Sequence, residues 1–324
     1  RSGILNSVHT FASDPERGLF ILSFLFILIL ISLIIFFVFH KKDKQDLISF
    51  SLFSKETSIL INNWLMMYFL SVILIGTIYP IFLDVISSEQ ISVGPPFYHK
   101  LIIPFLIPFL LFMAIGPQLR WIKSGLEEKG YLAFFLIISF VISYLIVKKF
   151  GTNLLVNTIL IGSALYLFLI TVRDFIKKRL NNFSQNLSHF GFSLLILSIL
   201  LNNIFSSEII TNLKVGETFK NEKFEIQFNQ LKKFQDKNFI SFKGYFLIKE
   251  NSVSEKLEPE LRVYNQPNII TSEADIKTTF LSDKFITMNT VQNEEYFNIR
   301  YQVKPFMLWI WISVLIISLG GITS

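Results

Sequence analysis

Seven long apolar runs constrain the fold of this chain more than any other feature. An α-helix needs about 20 consecutive apolar residues to cross the hydrocarbon core of a bilayer. Runs of about this length lie at 18–39, 59–83, 101–119, 131–150, 153–173, 188–206 and 305–323. The first run is too long, and is followed by too many others, to be a cleaved signal peptide. The sequence therefore predicts an α-helical polytopic membrane protein with about seven transmembrane helices.

A polar segment, residues 207–303, separates the sixth run from the last. Short stretches in it alternate polar with aromatic or β-branched residues, which is typical of strands: KFEIQFNQL, NFISFKGYFLI, ELRVY, KFITMNTV and EYFNIRYQV. We therefore expect a small all-β domain, either a barrel or a sandwich, inserted before the last helix. The predicted domains are a membrane domain with six helices (1–206), this β domain, and the last helix (304–324). The β segment contains no His, so docking or scaffolding is its plainest role.

The distribution of basic residues predicts the orientation in the membrane, since short loops rich in Lys and Arg stay on the cytoplasmic or matrix side. The loops after the first, third and fifth runs carry the excess: Lys41, Lys42, Lys44, Lys55, Arg120, Lys123, Lys129, Arg173, Lys177, Lys178 and Arg179. The N-terminal loop, the 84–100 loop and the β domain should then share the outer side. Lys148 and Lys149 are a local exception to this pattern.

Composition excludes several classes of chemistry. Cys is absent, which excludes disulfides, thiolate metal sites and thiol nucleophiles. No Gly-rich phosphate loop, nucleophile elbow or zinc-type His-Glu motif occurs. The net charge of +6 suits the basic loops of a membrane protein and gives no reason to expect nucleic acid. Abundant Ile, Phe, Asn and Lys with few Ala indicate an AT-rich, organelle-like genome.

The remaining chemistry lies with four histidines. His40 and His99 are expected to be interfacial residues at the ends of runs. His189 lies near the start of the sixth run, where a polar ring is costly and often functional, and Gly191 would allow a flat partner to approach. A helix cap or an interhelical hydrogen bond is the alternative role for His189. His9, in the polar loop SVHTFASDPERG, is either an ordinary loop residue or a ligand; neutral imidazoles without Cys suggest haem iron.

Five blocks carry a resemblance to a known family. They are RSGILNSVHTFASDPERGLFILSFL, GTIYPIFLD, ISVGPPFYHKLIIPFLIPFLLFMAIGPQLRW, LSHFGFSLLILS and KPFMLWIWISVLIISLGG. In order and over nearly the whole chain they resemble the C-terminal half of CcmF, the cytochrome c haem lyase subunit of the cytochrome c maturation system. The SVHTFASDPERG and ISVGPP blocks are the specific ones, because apolar runs occur in many membrane proteins.

The resemblance implies roles for particular residues. His9 would be an outer-face ligand to haem in transit, which a haem chaperone delivers for attachment to the thiols of apocytochrome c. His189 would be a ligand to a permanent haem b within the membrane. The GPQLRW block places Arg120 and Trp121 at the inner interface, where a topology anchor is favoured over a clamp for haem propionates. Membrane lipid is the remaining expected partner.

Two elements of the family are missing from this sequence. The Trp-rich outer loop is absent, and so are the first outer-face His and the first intramembrane His. The resemblance therefore implies a split, mitochondrial version whose companion chain supplies them and shares the haem b. The expected location is the mitochondrial inner membrane with the β domain facing the intermembrane space, and a bacterial plasma membrane is less favoured. The alternatives are a non-catalytic structural subunit of a respiratory assembly and, on span count alone, a transporter.

Overall fold

A computed structural model describes residues 15–39, 51–87, 91, 93–122, 129–150, 153–177, 183–250, 253–265, 268–291 and 295–323. The helices found in these ranges are α1 (Pro15–Phe39), α2 (Lys55–Ser87), α3 (Pro95–Ile115), α4 (Lys129–Phe150), α5 (Leu154–Lys177), α6 (Phe183–Phe205) and α7 (Met307–Ile322). A single 3₁₀ turn, Gly116–Gln118, extends α3. Each of the seven apolar runs thus coincides with a helix.

Five of these helices are long and apolar enough to span a bilayer, namely α2 to α6. The described parts of α1 and α7 contribute shorter apolar stretches, Ser23–Phe39 and Met307–Ile322. Because α4 ends at Phe150 and α5 begins at Leu154, the fourth and fifth runs are separate helices, as predicted. The polytopic α-helical fold class is confirmed.

Ten strands follow α6 in the described chain. They are β1 (Ser207–Leu213), β2 (Thr218–Lys220), β3 (Phe224–Gln235), β4 (Phe239–Glu250), β5 (Val253–Leu257), β6 (Glu260–Asn265), β7 (Asn268–Glu273), β8 (Asp275–Thr278), β9 (Ser282–Thr290) and β10 (Phe297–Pro305). One sheet has the order β1-β10-β9-β8, and the other has the order β2-β3-β4-β6-β7 with β5 also paired to β4. Two sheets make the domain a sandwich, and its place between α6 and α7 is as predicted.

The core of the sandwich is formed by residues that alternate along the longer strands. Ile226, Phe228, Phe246, Ile286 and Ile299 are each 2% exposed or less. The rings of Phe228 and Phe246 stack with centroids 4.4 Å apart, which adds to the free energy gained by burying apolar surface. The five stretches predicted as strands correspond to β3, β4, β6, β9 and β10. The other five strands were missed because they are short or carry little apolar alternation.

The chain divides into two compact units, residues 1–134 and 135–324. In the first unit, α2 packs on α3 through aromatic rings, with Tyr68 and Phe105 4.3 Å apart between centroids. In the second unit, α6 lies antiparallel to both α5 and α7, and the β-sandwich connects α6 to α7. The second unit contains His189.

Candidate functional site

His189 lies in the second turn of α6, which begins at Phe183, and its side chain is partly exposed. Neighbouring residues show which sides of α6 are covered by other helices. Phe190 faces α5, because its ring lies 5.6 Å from that of Phe168. Ser188 faces α7, because a side chain at Gly320 would collide with it. His189 therefore lies between these two directions on the helix surface.

Gly191 makes a close contact with α7. A Cβ added at Gly191 would lie 2.8 Å from Cγ1 of Ile317 and 2.9 Å from the backbone N of the same residue. Nearby, the Ser184 hydroxyl donates a hydrogen bond to the carbonyl oxygen of Gly320 at 2.7 Å. The prediction that Gly191 makes room for a flat partner is thus wrong. The missing side chain lets two helices approach each other.

The side of α6 that holds His189 is partly exposed within the second unit. Successive residues of an α-helix are rotated by about 100°, so His189, Phe192 and Ile196 lie on one side. All three side chains are partly exposed, and the adjacent Ile199 is 45% exposed. Among the described residues, the imidazole has no hydrogen-bond partner. An interhelical hydrogen bond to the described residues is therefore excluded as the role of His189.

These features fit an axial haem ligand. A neutral imidazole has one ring nitrogen with a free lone pair, and that nitrogen is not engaged by another described side chain. The neighbours of His189 on the same side of α6, Phe192 and Ile196, are aromatic and apolar. No group of three or more His, Cys, Asp or Glu side chains able to hold a metal ion occurs in the described ranges, but an axial site requires only one residue per face of the haem.

Asp174 is a functional candidate that the sequence analysis missed. It is only 5% exposed, lies near the end of α5 and interacts electrostatically with His189. Arg173 pairs with it, with Nη1 and Oδ1 3.1 Å apart. One turn earlier, the hydroxyls of Thr171 and Ser193 lie 3.3 Å apart and join α5 to α6. The available signal was an acidic residue at the end of an apolar run, where burial of a charge is costly.

Arg120 and Trp121 lie in the first unit, after the 3₁₀ turn, and both are exposed. The Lys55 ammonium lies 5.0 Å from the centroid of the Trp121 ring. The backbone N–H of Lys55 donates to the carbonyl oxygen of Arg120 at 3.0 Å, which ties this segment to the start of α2. An exposed indole beside two cations is typical of an interfacial anchor.

Of the other three histidines, the structure describes only His99. His9 and His40 lie outside the described residues. His99 lies in the first unit, on the first turns of α3, with an exposed side chain. Its position at a helix end agrees with an interfacial role. The described structure thus contains one of the two predicted ligands, and that residue is His189.

Comparison with known proteins shows that this chain is similar to CcmF proteins. Residues 204–305 match the family model of the CcmF C-terminal β-sandwich. The chain is 31% identical over 337 residues to the cytochrome c-type biogenesis protein CcmF of Pseudomonas aeruginosa, a match covering 99% of this chain and 51% of that protein. CcmF of Escherichia coli is 28% identical over 335 residues, with coverage of 99% and 51%. The chain thus spans about half the length of these relatives.

A solved structure supports the fold. The cytochrome c haem lyase CcmF superposes with a TM-score of 0.64 at 18% identity, covering 84% of this chain and 46% of that one. Residues 204–305 therefore belong to the family of the CcmF C-terminal β-sandwich, and the chain as a whole is similar to the half of CcmF proteins that carries this domain.

Proposed function

We propose that this chain is the C-terminal subunit of a split cytochrome c haem lyase. The observation that carries the proposal is His189, a partly exposed imidazole without a described hydrogen-bond partner on α6, in a chain similar to CcmF along 99% of its length. The location proposed with it is the mitochondrial inner membrane, with the β-sandwich in the intermembrane space.

His189 would provide one axial ligand to a haem b, and a companion chain would provide the other. The partly exposed side of α6 supports such sharing, because α5 and α7 pack on other sides of this helix. When bound, this haem would supply one-electron chemistry that keeps the delivered iron reduced. Asp174 would act on His189 through its negative charge, which interacts with the imidazole without a hydrogen bond to it.

His9 would bind haem as cargo on the outer face, with a mate from the companion chain. Two ligands would hold the delivered haem so that its vinyl groups meet the thiols of apocytochrome c. The contribution of this chain would then be proximity and orientation rather than side-chain acid–base catalysis. A haem chaperone would deliver the cargo. The absence of Cys agrees with acceptor thiols that belong to the apocytochrome.

Purification of the tagged chain from its native membranes tests the proposal. We expect it to bring with it a chain that has a Trp-rich outer loop and at least two His, together with a reduced b-type absorption spectrum. Mass spectrometry and difference spectroscopy measure the two parts. Recovery with respiratory-chain subunits only, and without b-type haem, would favour the structural alternative.

His9→Ala is expected to reduce holocytochrome c by at least about tenfold while the b-type bands stay at the wild-type level, since His9 would contact only haem in transit. Haem staining of cytochrome c and difference spectra of the same membranes measure the two quantities. His99→Ala is the matched control, because it changes an exposed histidine on α3 to which no ligand role is assigned. Normal cytochrome c in the His9 variant would contradict the cargo role.

A further inference from the structure

The turn between β8 and β9 exposes two adjacent large apolar side chains next to the start of α7. Phe280 is 63% exposed and Leu281 is 62% exposed. The turn is well ordered by hydrogen bonds, because the backbone N–H of Thr279 donates to the carbonyl oxygen of Ser282 at 2.9 Å and its hydroxyl donates to the same oxygen at 2.7 Å. The two apolar side chains are therefore presented by a defined structure.

This turn is tied directly to the start of α7. The indole N–H of Trp309 donates to the carbonyl oxygen of Phe280 at 3.0 Å, and the two rings lie edge to face with centroids 4.9 Å apart. The backbone N–H of Phe306, the residue before α7, donates to the carbonyl oxygen of Leu281 at 2.8 Å. The turn thus lies at the level of the first turn of an apolar helix.

The opposite end of the sandwich carries an ion pair beside an aromatic ring. There Lys214 pairs with Glu295 at 3.2 Å and lies 4.6 Å from the centroid of the Tyr296 ring. Strand β10 joins the two ends, from Phe297 to Pro305, and at about 3.3 Å per residue they lie roughly 25 Å apart. The exposed apolar pair is therefore found at the end of the domain next to the helix.

We propose that Phe280 and Leu281 insert into the interfacial region of the lipid bilayer and dock the β-sandwich onto the membrane. Trp309 would lie at the same depth, where an indole gains from an apolar body and a hydrogen-bonded N–H. Exposed apolar side chains joined to a membrane helix mark a contact with an apolar phase rather than with water. The partner is a lipid surface, and the contact holds the domain at one height above it.

The absence of Cys in this chain allows a direct test with single labels. Leu281→Cys and Val215→Cys each receive a nitroxide spin label in the full chain with its companions, in phosphatidylcholine nanodiscs. Val215 is the matched control, because it is an exposed apolar residue at the opposite end, 47% exposed. Collision rates with oxygen, which concentrates in lipid, and with a water-soluble nickel complex are measured by electron paramagnetic resonance.

The label at 281 should collide severalfold more with oxygen than with nickel, and the label at 215 should show the reverse. Phe280→Asp in the 281-labelled chain should raise the collision rate with nickel. Ile276→Asp should leave that rate unchanged, because Ile276 is exposed on β8 but lies farther from the turn. Nickel access at 281 equal to that at 215 would overturn the proposal. So would exclusion of both reagents from 281, which would mean that another chain covers the turn.

Discussion

Replacement of His189 by Ala is expected to abolish the reduced b-type absorption bands of the purified complex, or to shift them to those of a five-coordinate haem. The substitution removes the imidazole that we propose as the haem ligand, which is the one histidine of α6. The chain should still insert, because the loss of one polar ring from a helix favours insertion. Reduced-minus-oxidised spectra, normalised to protein, measure the result.

Two further variants separate ligation from packing. Added imidazole should partly restore the spectrum of the His189 variant by occupying the vacant coordination position, while His99→Ala should leave the bands unchanged. Asp174→Asn should keep the haem but shift its midpoint potential, since the amide cannot supply the negative charge that acts on the imidazole. An unchanged spectrum in His189→Ala would end the ligand assignment and leave a helix-packing role.

Replacement of Gly191 by Leu is expected to cause the largest loss of stability among the helix variants. The new Cβ would lie 2.8 Å from Cγ1 of Ile317 and 2.9 Å from a backbone nitrogen, and a backbone atom cannot be relieved by a change of rotamer. Overpacking of this kind costs on the order of 1–3 kcal/mol or more. We expect a lower unfolding temperature in detergent and less monodisperse protein on gel filtration.

Gly321→Leu is the matched control, because a Cβ at Gly321 meets nothing within 4 Å although it lies on the same helix pair. Its unfolding temperature should stay close to that of the wild type. Gly191→Ala should fall between the two, since it adds the Cβ alone. Equal effects of the two Leu variants would mean that the close approach of α6 and α7 does not limit stability.

The helices could be predicted from sequence because a bilayer imposes a length and a composition on any segment that crosses it. Each apolar run therefore coincides with a helix, and the sequence could separate α4, which ends at Phe150, from α5, which begins at Leu154. Strands β3, β4 and β10 were also predictable, since each is nine residues or longer and is rich in aromatic and β-branched residues in rough alternation with polar ones. His189 could be selected because a polar ring in an apolar run is unusual.

Only the tertiary structure decided what the small and charged residues contact. Short strands such as β2 and β8 form because longer neighbours provide hydrogen-bond partners, so their own sequences carry little signal. The role of Gly191 depends on its contact with Ile317, which is far away in the sequence. A glycine in a sequence does not indicate which surface will pack against it. Asp174 and His189 are brought together by the antiparallel packing of α5 on α6. Residue type and local pattern thus determined the elements and one ligand candidate, whereas neighbours distant in sequence determined the contacts.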